Sequence, residues 1–305
     1  MPDIKIVTDG LGFPEGPVWM ADGSVILGEI SGAKVTRVTP DGRKTEISKA
    51  GGGPNGVAMG PDGALYVCNN GGAVYNTTPS FLSTGPAPDY NGGSIQRIDP
   101  KTGETRTLYT ECNGHRLSAP NDLVFDKQGG FYFTDLGKRL AHHRDNGGLY
   151  YALPDGSSVV EVIYPIITPN GVGLSPDETT VYVADTETAR VYGWDIVSPG
   201  KVKKVPFPSA YEGRCVCGLP GFQRFDSLAV QANGDICVAT LMTGHITVIS
   251  PGGQVVRQVK MPDVYPTNIC FGGADMKTAY ITLSGTGQLA AMDWPEPGLR
   301  LNFMC

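Results

Sequence analysis

An all-β fold is predicted: one domain over residues 1–305, a six-bladed β-propeller with four antiparallel strands per blade. Three observations predict it. A strand–turn–strand unit recurs six times at intervals of roughly 40 to 65 residues, the kind of period at which propeller blades repeat. The chain carries 42 glycines and 24 prolines, a turn-rich composition that suits many short strands. No stretch shows a clear helical apolar period, so nothing competes with the strand pattern.

The best-formed unit reads Ser118-Ala119-Pro120-Asn121-Asp122-Leu123-Val124-Phe125, turns at Asp126-Lys127-Gln128-Gly129 and returns through Gly130 to Asp135. Before it stand an opening strand at 4–8, a first unit at Phe13-Pro14-Glu15-Gly16-Pro17-Val18-Trp19, and a second at Gly53-Pro54-Asn55-Gly56-Val57-Ala58-Met59. The fourth is Thr168-Pro169-Asn170-Gly171-Val172-Gly173-Leu174. The fifth, a weaker copy, is Arg224-Phe225-Asp226-Ser227-Leu228-Ala229-Val230, and the sixth is Tyr265-Pro266-Thr267-Asn268-Ile269-Cys270-Phe271. Further hairpins turn at Pro40-Asp41-Gly42, Pro154-Asp155-Gly156 and Pro251-Gly252-Gly253, where glycine supplies the positive φ a tight turn needs. The strand at 4–8 is expected to complete the last blade and tie the ring shut, with the tail 295–305 as the alternative.

This topology sorts the loops onto two faces. The inner strand of each blade begins at the Pro-Asn turn, so the Pro-Asp-Gly hairpins lie on the opposite face. The upper face then holds Glu15, Asn55, Asn121, Asn170, Asp226 and Thr267, together with loops carrying all four histidines, His115, His142, His143 and His245. It also holds the long irregular segment 69–93, whose Tyr75, Phe81, Leu82 and Tyr90 are expected to form an apolar roof. Long loops gathered on one face of a rigid scaffold commonly carry function.

Composition excludes several classes. A net charge of −6 without a Lys/Arg cluster argues against nucleic-acid binding. No run of about 18 apolar residues predicts a membrane span, and the first residues lack a signal-peptide core, which points to the cytoplasm. Of the seven cysteines, Cys68, Cys237 and Cys270 sit in apolar strand patterns and read as core residues. Cys215-Val216-Cys217 has neither zinc-ribbon spacing nor a second pair. Oligomeric state is left open.

Two carboxylates and several amide carbonyls aimed down one channel make an all-oxygen site for a hard cation. Pro-Asn-Gly alone is a good strand-entry turn, which accounts for Asn55 and Asn170 individually. It does not account for Glu15 or Asp226 at the same phase of other repeats. Glu15, Asn170, Asp226 and Asn121 are therefore the candidate metal ligands. The expected cofactor is one divalent cation, calcium first, with manganese, magnesium or zinc as alternatives. Asp226 is the candidate general base, an acid/base histidine from the loops being the alternative. Asn121, Asn55, Arg116, His115, His142 and His143 are the candidate substrate contacts.

Four motifs carry a resemblance: Phe-Pro-Glu-Gly-Pro-Val-Trp at 13–19, Ala-Pro-Asn-Asp-Leu-Val at 119–124, Pro-Asn-Gly-Val-Gly-Leu-Ser-Pro-Asp-Glu at 169–178 and Phe-Asp-Ser-Leu-Ala-Val at 225–230. In this order they resemble the family of gluconolactonases, luciferin-regenerating enzyme and senescence marker protein (regucalcin). The resemblance implies a divalent metal near the axis held by Glu15, Asn170 and Asp226, with Asn121 close to metal or substrate. It also implies hydrolysis of a small-molecule lactone or ester, with organophosphate hydrolysis in more distant relatives. An aryl ester or organophosphate hydrolase using the same site, and a non-catalytic propeller braced by its metal, are the rival readings. Two departures point away from a polar aldonolactone: Leu117-Ser118-Ala119 before the Asn121 turn, and Asp135-Leu136-Gly137-Lys138 where bacterial gluconolactonases commonly have Asp-Pro-Pro-Tyr-Gly.

Overall fold

Alternating β-branched and aromatic residues between glycine turns produce strands throughout, and one 3₁₀ turn, Ala210–Glu212, is the sole helical element among the described residues. A computed structural model describes residues 3–78 and 82–304. Six four-stranded antiparallel sheets are arranged in a ring. Blade 1 comprises Pro14–Trp19, Val25–Glu29, Lys34–Val38 and Lys44–Ser48. Blade 2 comprises Pro54–Met59, Leu65–Asn69, Ser94–Ile98 and Thr105–Tyr109. Blade 3 comprises Pro120–Phe125, Phe131–Asp135, Gly147–Ala152 and Val159–Ile166.

Blade 4 has Pro169–Leu174, Thr180–Asp185 and Arg190–Ser198, then Arg214–Gly218 as its outer strand after an excursion through Lys201–Val202. Blade 5 has Arg224–Val230, Ile236–Leu241, His245–Ile249 and Val255–Lys260. Blade 6 has Pro266–Gly272, Thr278–Leu283 and Gln288–Asp293, and its outer strand is the N-terminal Lys5–Thr8. The two ends of the chain thus share one sheet, which covers the free edge that blade 6 would otherwise expose. The tail does not take that place. It runs beneath the ring, where Gly298 pairs with Gln231, Leu299 N–H donates to Val230 O (2.9 Å) and Asn302 Nδ2 donates to Phe125 O (3.1 Å).

Apolar strand faces meet between neighbouring blades, giving six clusters, one for each blade–blade contact. Between blades 2 and 3, for instance, Tyr66 meets Phe125 at 5.0 Å and nearly edge-on, and Phe131 packs on both. Aromatic rings bury the most area per residue and favour such tilted pairs. Cys68 and Cys237 lie in these cores as expected, and Cys270 is half-buried.

All six inner strands share one irregularity. Each pairs with its second strand at the upper end and then leaves register for one or two residues. Asn55-Gly56, Asn121-Asp122, Asn170-Gly171 and Asp226-Ser227 fall in such gaps, as do Gly16-Pro17 in blade 1 and Thr267 in blade 6. A bulge breaks the strict alternation of side chains and can re-aim them. In blades 1 to 4 a polar residue stands directly opposite the proline that opens the inner strand and holds the incoming loop. Glu29 accepts from Gly12 N–H (2.7 Å), and Asn69 Oδ1 accepts from Gly53 N–H (2.9 Å). Asp135 accepts from Ser118 and Ala119 N–H (2.6 and 2.7 Å), and Asp185 from the Thr168 hydroxyl (2.5 Å). These bonds, charge-assisted where a carboxylate accepts, set where the inner strands of blades 1 to 4 begin.

Inner strands come so close at the bulges that some positions admit only glycine. A Cβ at Gly171 would lie 2.4 Å from Leu228 N and 2.6 Å from Ser227 Cα, backbone atoms that cannot move aside alone. Below the bulges the inner strands enclose an apolar chamber of about 90 Å³, floored by Leu299, Leu301 and Met304 of the tail. Among the described residues no helix is long and apolar enough to cross a membrane. Because Gly171→Ala forces blades 4 and 5 apart, it should cost about 1–3 kcal/mol. A denaturant titration would read this as a lowered midpoint, and an unchanged midpoint would show that the ring tolerates the wider spacing.

Candidate active site on the propeller axis

The register breaks fall at or beside the expected ring residues. Glu15, Asn55, Asn121, Asn170 and Asp226 are all buried there. Glu15 Oε2 accepts from Gly16 N–H (3.1 Å) and from the Asn268 amide (3.3 Å), which binds blade 1 to blade 6. The Asn170 side chain donates to Thr186 Oγ1 (3.1 Å) and to the Asp226 carboxylate, while its oxygen accepts from Ser227 Oγ (3.2 Å). Thr267 turns away from the set: its hydroxyl bonds to Thr282 (3.0 Å), Ser284 (2.5 Å) and Pro14 O (3.4 Å).

Two residues absent from the expected set join it. Asp122 and Asn268, each one step past a ring position, are buried against it. Asp122 Oδ1 accepts from Leu123 N–H (2.9 Å), and the carboxylate also takes bonds from Val172 N–H and the Ser227 side chain. In a regular strand, neighbours of Asn121 and Thr267 would point to the opposite face. The bulge cancels that alternation, so both members of Asn121-Asp122 serve the axis. The only sequence signal was a second polar residue where Gly56 and Gly171 stand in the equivalent units.

Three buried carboxylates therefore share one small space. Burial, and then the charges of Asp226 and Asp122, hold the Glu15 carboxyl well above the usual range. Burial pushes Asp226 up to about 7, with Asp122 adding to it and the Asn170 and Ser227 hydrogen bonds opposing. Asp122 is likewise raised to about 7 by burial. None of the ion pairs among the described residues reaches these three groups. The carbonyl oxygens of Asn55 and Asn121 are buried with no hydrogen-bond partner. Buried acceptors and charges left in this condition are costly unless a donor or a cation faces them.

In the segment 69–93, Ala73–Asn76 pairs antiparallel with Leu82–Pro86. Lys138 anchors it from blade 3: Nζ donates to Asn70 O (2.8 Å) and Gly72 O (2.7 Å) and sits 4.5 Å from the centroid of Tyr90. Its burial lowers the ammonium pKa to about 8. Only part of the expected apolar roof faces the axis. Leu82 is exposed, Tyr90 turns to Lys138 and to Ser118 O (2.7 Å), and Phe81 lies outside the described residues. Tyr75 packs on Phe13 (4.9 Å between rings) and feels the charges of Glu15 and Asp226.

The remaining expected contacts lie in exposed segments or in a strand of blade 5. His115 and Arg116 form a short exposed strand paired with Glu111–Cys112, and Arg116 donates to Asn91 O (3.3 Å). His142 and His143 are exposed in the 136–146 loop. His245 opens a strand of blade 5 rather than sitting in a loop, and burial lowers its pKa. Short polar loops carry no periodicity that fixes where their side chains point, so the sequence placed these residues on a face but not at a site.

Comparison with known proteins agrees with this architecture. Residues 13–285 match the family described as the SMP-30/Gluconolactonase/LRE-like region. The lactonase drp35 of Staphylococcus haemolyticus is 31% identical over 265 residues, covering 86% of this chain and 73% of that protein. A gluconolactonase of Zymomonas mobilis is 25% identical over 309 residues, covering 92% and 79%. Among solved structures, a gluconolactonase of Xanthomonas campestris superposes with a TM-score of 0.75 at 22% identity, over 96% of this chain and 89% of that one. The calcium-binding protein regucalcin of Agrobacterium tumefaciens gives 0.70 at 17% identity, over 95% of each chain. The chain belongs to the SMP-30/gluconolactonase/LRE-like family.

Proposed function

We propose that the protein is a divalent-cation-dependent lactonase, opening a small lactone or related ester at the axial site. The observation that carries this reading is the pairing of buried carboxylates lacking any cationic partner with the unpartnered oxygens of Asn55 and Asn121. The names of the relatives, lactonase and gluconolactonase, support the substrate class. The donors fit a hard cation. They are all oxygens, and no imidazole or thiolate stands among them, as calcium, magnesium or manganese prefer. Among the described residues no three His, Cys, Asp or Glu side chains form a metal site by themselves. The amide oxygens of Asn121 and Asn170 are therefore needed beside Glu15 and Asp226, and calcium accepts such mixed, irregular sets.

When bound, a divalent cation supplies Lewis-acid polarisation of the lactone carbonyl. Asp226 accepts the proton of the attacking water and returns it to the ring oxygen as the C–O bond breaks, leaving a hydroxy acid. Glu15, held by Gly16 N–H and the Asn268 amide, fixes the opposite side of the site. Asn170 orients Asp226 through its amide. Burial of the set excludes bulk water, which strengthens each of these interactions.

Asp226→Asn should lower kcat/KM on the best lactone of a panel by about 10²- to 10⁴-fold, and wild-type activity in the variant would refute the assignment. Chelation should abolish turnover and added calcium restore it; full activity in chelator would exclude a cation requirement. Cation binding should also relieve the crowded carboxylates, so stability rises with free calcium. At a hundredfold excess over Kd the gain is about 2.7 kcal/mol. Melting curves with and without calcium read it, and Glu15→Gln should remove most of the increment.

A further inference from the structure

Tyr75 occupies a place the mechanism above does not use. It belongs to the hairpin laid over the upper face, where Tyr75 pairs with Ser83. Its ring lies against Phe13, which adopts a positive φ of 55° two residues before Glu15. A bulky residue in the left-handed region is strained, and such strain survives where the surroundings enforce it. Here it sets the Phe13 ring against Tyr75 just before the strand that carries Glu15. The Tyr75 hydroxyl makes no hydrogen bond among the described residues, although it is close enough to feel both Glu15 and Asp226. The hairpin is pinned at its base, by Lys138 Nζ on Asn70 O and Gly72 O and by Asn69 Oδ1 on Gly71 N–H (3.0 Å). The donor is thus held in advance rather than recruited.

We propose that Tyr75 is a catalytic residue whose hydroxyl donates a hydrogen bond to the lactone carbonyl oxygen as negative charge develops there. This rests on the lactonase reading. No proton leaves the phenol: water adds to the carbonyl carbon, the oxygen gains charge against the O–H, and the charge collapses as the ring C–O bond breaks. A preorganised donor aimed at developing charge stabilises the transition state more than the ground state. The ring itself, with Phe13, forms the apolar wall beside the reacting group.

The test is Tyr75→Phe, which keeps the ring contact with Phe13 and removes only the hydroxyl. On the panel lactone that wild type turns over fastest, kcat should fall about 100-fold while KM stays within about threefold. Affinity for a cyclic phosphonate anion, measured by calorimetry in calcium, should fall in similar proportion, a change that a merely structural role would not produce. If Glu15→Gln abolishes turnover but Tyr75→Phe keeps kcat and phosphonate affinity near wild type, the lactonase reading survives and the Tyr75 assignment falls. If wild type neither opens any lactone nor binds the phosphonate, both fall together.

Discussion

Each inner strand of the ring steps out of register with its partner just below the upper face, and the axial site is a consequence of that step. A regular strand would send Glu15, Asn170 and Asp226 inward and bury their neighbours between blades. The break instead lets two successive residues of blade 3, Asn121 and Asp122, join one buried set, and the inner strands approach one another closely. Glycine at Gly16 and Gly171 is what permits the approach: a Cβ at Gly16 would stand 2.4 Å from Asn55 O, and the residue also carries a φ of 55°. Where the equivalent residue is not glycine, in Asp122 and Asn268, it adds polar groups to the site instead.

The carboxylates gathered in this way are the energetic weak point of the fold. Like charges in a buried space raise one another's pKa and oppose folding unless neutralised. The six apolar clusters between blades carry the stability that lets the ring hold such a centre. The polar side chains of Glu29, Asn69, Asp135 and Asp185 hold the loops that enter blades 1 to 4. Rigidity below and a pinned hairpin above leave the site little freedom to rearrange, as a preorganised catalytic site requires.

The lower half of the channel serves a different purpose. Its lining is apolar, and the C-terminal tail crosses beneath it, with Asn302 bonded to Phe125 O and to Glu178 (2.6 Å). The tail thus closes the channel from below.

Blade number, strand pairing within blades and the starts of the inner strands, where Glu15, Asn55, Asn121, Asn170 and Asp226 are buried, were legible in the chain, because each rests on local information. Turn residues and period-two apolar patterns act over a few positions, and their repetition six times fixes the architecture. The N-terminal strand closing blade 6 was equally readable from its β-branched run. What only the tertiary structure decided were the features set by contacts between blades. Asp122 joins the buried set because the register break of blade 3 spans it, Asn268 because the break of blade 6 falls one residue earlier at Thr267, and the base of the hairpin that carries Tyr75 is held by Lys138 of another blade. The histidines stay out for the corresponding reason: no such cross-blade contact draws His142 or His143 inward.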